Sequence, residues 1–156
     1  MKISLLVIGK TTDGRLVSLI DDYRQRLSHY VPFEWIVIPD IKNAKALSQE
    51  QLKRAEGEAI LRFLTPSMDV FLLDEHGREF RSIEFADFLQ KKMGSGRDLI
   101  LVIGGAYGFS PAVYERANGK LSLSQMTFSH QMIRLMAIEQ IYRAMTILRN
   151  EPYHHE

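Results

Sequence analysis

Gly104 and Gly105 close an apolar run, 98–104 (DLILVIG), where bare backbone can meet a flat ligand through exposed N–H and C=O groups, as an adenine edge or a ribose requires. The same pair would equally serve a tight turn into a helix at Ser110. Asp74, Glu75, His76 and Gly77 follow a second apolar run, and their side chains suit a ligand contact or a general base as well as a plain turn. His130 and Arg134 stand four residues apart at the start of the last helical segment. A helix N-terminus beside Arg and His favours an anion such as phosphate, although a solvated helix end is the commoner use of such a pair. The closing residues Pro152, Tyr153, His154, His155 and Glu156 offer stacking and proton exchange, the two things a nucleobase asks of side chains.

Several other chemistries fail on spacing. Gly9, Lys10, Thr11 and Thr12 look like the end of a phosphate-cradling loop, but position 4, where that loop needs a glycine, is Ser4 inside a strand. The glycines at 104, 105 and 108 have the wrong spacing for a dinucleotide fingerprint and follow the fourth strand, not the first. None of the five histidines makes a zinc pattern and there is no cysteine, so no metal is expected. No G-x-S-x-G elbow is present.

The elements that must position these residues alternate along the chain. Residues 2–9, 33–38, 69–73 and 98–104 read as strands, three of them nearly continuous Ile, Leu, Val and Phe, as in a parallel sheet covered on both faces. Helical spacing predicts helices over 13–30, 48–64 and 82–93. Ser110 as N-cap and Pro111 at the first helical position predict a short helix to about Ala117. A fifth strand is expected over Leu121–Ser124. A last helix should run from near His130 to Asn150, with Met132, Met136 and Met145 on its apolar stripe. This order predicts one α/β domain over 1–156, with a mostly parallel sheet and helices on both faces. Ligands of such sheets sit beyond the carboxyl ends of the strands, so the loops after Leu73, Gly104 and Ser124 are the place to look.

Size and composition agree. The chain has 156 residues, 46% apolar and 25% charged, enough for a core without disulfides or metals. Its formal net charge of +1 argues against a histone-like DNA binder and leaves room for RNA held by a local patch. The run Ile3–Ile8 is too short for a secretory core and no apolar run reaches the ~20 residues of a membrane span, so a cytoplasmic protein is expected.

IGGAYGFSP at 103–111, LSLSQMTFSHQMIR at 121–134, EQIYRA at 139–144 and EPYHHE at 151–156 together resemble the ribosomal large subunit methyltransferase H family. The opening KISLLVIGK, the PFEWIVIPD strand and the LLDEHG turn extend the resemblance over nearly the whole chain. It implies a SPOUT-type α/β fold with a C-terminal trefoil knot. The implied activity is transfer of a methyl group from S-adenosyl-L-methionine to N3 of a pseudouridine in 23S ribosomal RNA, by a homodimer acting on the assembled ribosome.

The resemblance also implies roles. Leu73, Gly104, Gly105 and the loop Leu123, Ser124, Gln125, Met126, Thr127 and Phe128 would hold the donor, with Leu123 and Phe128 enclosing the adenine and loop amides on its edge. Tyr153 and His154 would be the substrate-side or catalytic pair, with His154 as base or anion stabiliser. Arg134 and Arg143, with His130 beside them, would contact RNA or the second protomer. The usual I-G-G-P-E-G loop reads I-G-G-A-Y-G here, Ser129 replaces a proline, and His155 stands where many members carry Arg or Lys. Two rival readings are an adenosine-binding regulatory module and a non-catalytic ribosome assembly factor.

Overall fold

Continuous runs of Ile, Leu and Val need apolar cover on both sides, and the computed structural model, which describes residues 1–156, supplies it. Strand β1 (Ile3–Ile8) is buried at every residue, and so is β4 (Leu99–Ile103). With β2 (Phe33–Ile38), β3 (Asp69–Glu79) and β5 (Gly119–Ser122) they form a five-stranded sheet in the order β2-β1-β4-β3-β5, every pair parallel. Ile3, Leu5 and Val7 share one face with Leu99, Leu101 and Ile103, under helices α1 (Gly14–Leu27), α3 (Ser82–Gly94) and α5 (Met132–Leu148). Leu6, Ile8, Ile100 and Val102 face the other way, under α2 (Gln49–Phe63) and α4 (Pro111–Arg116). The α/β architecture with helices on both faces is therefore as expected from the sequence. No helix is long and apolar enough to cross a membrane.

The differences lie where local chemistry has two uses. β3 does not stop at Leu73 but resumes at Arg78. Leu73 and Arg78 both pair with Leu121, so residues 74–77 form a bulge within the strand rather than a turn after it. Gly77 makes this possible, because a Cβ there would lie 2.7 Å from the backbone N and C of Leu121. Gly77→Ala should therefore lower stability by about 2 kcal/mol, the scale of overpacking against backbone, and lower Tm by roughly 4–8 °C. A melting temperature within about 1 °C of the parent would show that the backbone can step aside.

Two helix starts also differ. Pro111 opens α4, but the Ser110 hydroxyl makes no cap bond; it lies against α2, where a Cβ on Gly57 would be 2.4 Å from it. Close packing of the two helices outcompetes the cap. The last helix begins at Met132, two residues after the expected His130, because Ser129 terminates the preceding loop: its Oγ accepts from Met132 N at 3.1 Å and its carbonyl from Ile133 N at 3.0 Å. The serine that replaces proline in the resembled family is thus a cap. Strand β5 ends at Ser122, where the Ser122 hydroxyl donates to the Ser124 carbonyl at 2.8 Å and turns the chain away.

Candidate functional site

Because β4, β3 and β5 are neighbours, the loops leaving their carboxyl ends stand side by side, and a cavity of about 460 Å³ opens between them. That volume falls within the roughly 300–1,000 Å³ of small-molecule sites. Leu73, Gly104, Gly105, Leu123, Ser124, Met126, Thr127 and Phe128 all line it. Gln125 does not. Its amide donates to Glu79 Oε1 at 2.7 Å, so it anchors the loop to β3 instead of facing the cavity. A second anchor is the Thr127 hydroxyl, which donates to Glu75 Oε2 at 3.0 Å.

Held at those two points, the 123–128 loop keeps its backbone donors free. Only the Met126 N–H has an intrachain partner, Ser124 Oγ at 3.0 Å; those of Leu123, Ser124, Gln125, Thr127 and Phe128 have none. Unpaired amides are costly unless water or a ligand meets them, which makes this segment a ready reader of a hydrogen-bonding edge. Leu73, Ile103, Leu123, Phe128 and Ile133 supply apolar surface around it, and no Lys or Arg lines the cavity.

The glycines serve the protein's own packing as well. A Cβ on Gly104 would meet the Phe109 ring at 3.0 Å, and one on Gly105 would lie 2.5 Å from the Glu56 carboxylate. Glu56 is buried and Oε1 has no partner; burial, reinforced by the negative charge of Asp40, pushes its carboxyl up. Within the cavity lining, burial also pushes Asp74 up, but the Tyr114 hydroxyl, the His76 amide and nearby Lys120 outweigh it and hold the carboxyl below its ordinary range. Burial and the bond to Asp74 push Tyr114 up to about 12. Tyr114, Ile103 and Ile133 are cavity residues that the sequence reading missed. Tyr114 sits one turn inside the helix that Pro111 starts at the sheet edge, and that start was the signal for it.

Arg134, expected as an RNA contact, is buried inside the chain. It is 1% exposed, and its guanidinium donates to the carbonyls of Ile8 (2.7 Å), Gly9 (2.8 Å) and His130 (2.9 Å) and to Thr11 Oγ1 (3.1 Å). It ties the end of β1 to the start of α5. Arg143 is also committed within the chain, through Glu139 Oε1 at 2.7 and 2.9 Å and His154 Nδ1 at 3.1 Å. His130 is exposed and lines the cavity.

The tail is docked. Asn150, in the left-handed region at φ 57°, closes α5, with Glu151 N donating to the Thr146 carbonyl at 3.0 Å. Tyr153 meets the Tyr142 ring edge-on at 4.9 Å, shares a 3.1 Å hydrogen bond with Tyr23, and lies 4.8 Å from the Arg143 guanidinium. Burial and the bond to Tyr23 raise its phenol. A guanidinium only donates, so His154 Nδ1 accepts, and its proton sits on Nε2, which is buried without a partner. Neither Tyr153 nor His154 lines the cavity of its own chain.

Comparison with known proteins gives this arrangement its class. A family model described as "Predicted SPOUT methyltransferase" matches residues 1–154. At the level of the fold alone, the chain is similar to a probable methylase family protein from Haemophilus influenzae Rd KW20, with a TM-score of 0.55 at 10% identity over 99% of this chain and 70% of that one.

Full-length relatives narrow it. The chain is 61% identical to the ribosomal RNA large subunit methyltransferase H of Parabacteroides distasonis and 58% identical to that of Flavobacterium psychrophilum, over 100% of both chains in each case. It belongs to the ribosomal RNA large subunit methyltransferase H family of SPOUT methyltransferases. Membership brings S-adenosylmethionine as methyl donor, and the cavity suits it in volume, in its free amides and in the absence of a competing cation.

Proposed function

We propose that the protein methylates N3 of a pseudouridine in 23S ribosomal RNA of the assembled ribosome, working in the cytoplasm as a homodimer in which residues 1–156 form one catalytic domain. The relatives' names support ribosomal RNA as substrate. The observation that carries the reading is the cavity at three strand ends with its row of unpaired loop amides. The trefoil knot implied by the resemblance belongs to the same proposal.

S-adenosylmethionine supplies a methyl group on a sulfonium, which is displaced in line by a nucleophile. The protein's part is alignment and management of the imide proton. Loop amides from Leu123 to Phe128 hold a heteroaromatic edge, while Leu73, Leu123 and Phe128 exclude water. The imide nitrogen gives its proton to solvent water, the anion so formed is delocalised onto the flanking carbonyls, and its attack on the methyl carbon leaves the donor's sulfur as a neutral thioether. His154, neutral and protonated on Nε2, is a donor for that charge and not a base; Arg143 fixes this tautomer. Tyr153 is locked in aromatic contacts and holds the tail in place.

Distance supports the dimer. Ile133 at the start of α5 lines the cavity, whereas His154 rests on Arg143, ten residues or about 15 Å further along the helix axis. One chain does not bring donor cavity and tail together, and a second copy can. Met132 and Met136, one turn apart, leave 38% and 39% of their surface exposed on the outer face of α5. Met136→Glu should convert the dimer to monomer in light scattering and abolish methyl transfer while donor binding persists. A monomer with full turnover would contradict this arrangement.

The activity itself is tested with ribosomes from cells lacking the protein, incubated with the protein and labelled donor. One methyl group on a pseudouridine of 23S ribosomal RNA, mapped by mass spectrometry, is expected; absence of incorporation would leave the regulatory-module or assembly-factor reading.

A further inference from the structure

Five of the chain's six tyrosines are spoken for. Tyr23, Tyr30, Tyr114, Tyr142 and Tyr153 each lie against another aromatic ring, and four of them also hydrogen-bond through the hydroxyl. Tyr107 alone has neither an aromatic neighbour nor a cation over its ring nor a hydroxyl partner, and it is 48% exposed. Its backbone is nonetheless held: Gly108 N donates to the Gly105 carbonyl at 3.2 Å, Gly108 takes φ 83°, and Tyr107 sits at the third position of that turn. The turn lines the cavity, and the residue before Tyr107 is only an alanine. An unpartnered aromatic ring on a fixed turn at a cavity mouth is a surface awaiting a planar group.

We propose that Tyr107 is the platform on which the target nucleobase stacks as it enters the cavity. This rests on the reading of the protein as an RNA methyltransferase. A base acted on by an enzyme leaves its own stack and must regain planar contact in the site. Two further exposed apolar side chains line the same cavity, Met126 at 76% and Phe128 at 38%, alongside the exposed polar residues Glu75, His76, Thr127 and His130. The deeper apolar lining, Leu73, Ile103, Leu123 and Ile133, none of which is exposed, is left with Phe128 for the donor. The ring, and not the hydroxyl, carries the interaction.

The test is a series at this position read with intact ribosomes. Tyr107→Ala should raise KM for ribosomes about tenfold, the effect of losing one base–aromatic stack, with kcat changed less than threefold. Calorimetric affinity for S-adenosylmethionine and the melting temperature should stay within twofold and 2 °C of the parent, and Tyr107→Phe and Tyr107→Trp should restore KM to within about twofold. An unchanged KM in the alanine variant, a tenfold loss of donor affinity, or failure of phenylalanine to rescue would each overturn the proposal. A parent protein that transfers no methyl group to ribosomes would instead refute the activity on which it rests.

Discussion

His154→Ala should lower kcat on ribosomes about a hundredfold while leaving S-adenosylmethionine affinity within twofold, because the loss of one preorganised donor at a developing negative charge is worth about that much. The tautomer of His154 decides its role. Arg143 donates to Nδ1, so the proton is on Nε2, and that N–H is buried with nothing to bond to inside its own chain; Glu156 Oε1 is 3.8 Å away, too far for a hydrogen bond. In the proposed mechanism that N–H meets the negative charge on the substrate's carbonyl oxygen. Turnover above half that of the parent in the alanine variant would remove His154 from the chemistry. Arg143→Lys, which loses the fork that bridges Glu139 and His154, should lower turnover in the same direction without touching donor binding.

Arg134→Ala should destabilise the fold by about 3 kcal/mol, because a buried cation's partners are left behind when it is removed. Three backbone carbonyls and Thr11 Oγ1 accept from its guanidinium, and a cavity the size of that side chain would open at the junction of β1 and α5. In thermal unfolding this corresponds to a fall in Tm of roughly 6–12 °C for a chain of this size. A Tm within 2 °C of the parent combined with weaker RNA binding would restore the role that the sequence suggests for Arg134, a surface contact to phosphate.

That reversal shows where sequence reading ends. The strands β1 and β4 are legible because an unbroken apolar run has one economical solution, burial on both faces, and the helices because their apolar positions recur at a single period. Position 134 carries no such constraint: an arginine four residues from a histidine has the same spacing whether it points to solvent or to the carbonyls of Ile8 and Gly9, which lie 126 and 125 positions away. The DEHG segment is likewise ambiguous, since Asp and Gly favour a turn and a bulge for the same backbone reasons, and only the pairing of both Leu73 and Arg78 with Leu121 separates them. The cavity loops were legible from general sheet geometry, which fixes the edge where ligands sit. Which side chains face inward was less so: Gln125 sits mid-loop among lining residues and turns instead to Glu79. The separation of the Tyr153–His154 tail from the cavity is a long-range distance that no local pattern encodes.

The most direct test is a crystal structure with S-adenosylmethionine bound. The account predicts the ligand in the cavity bounded by Leu73, Gly104 and the 123–128 loop, with several of the now unpaired amides of that loop donating to it. The ligand bound elsewhere on the protein, with those amides still unpaired, would contradict the account.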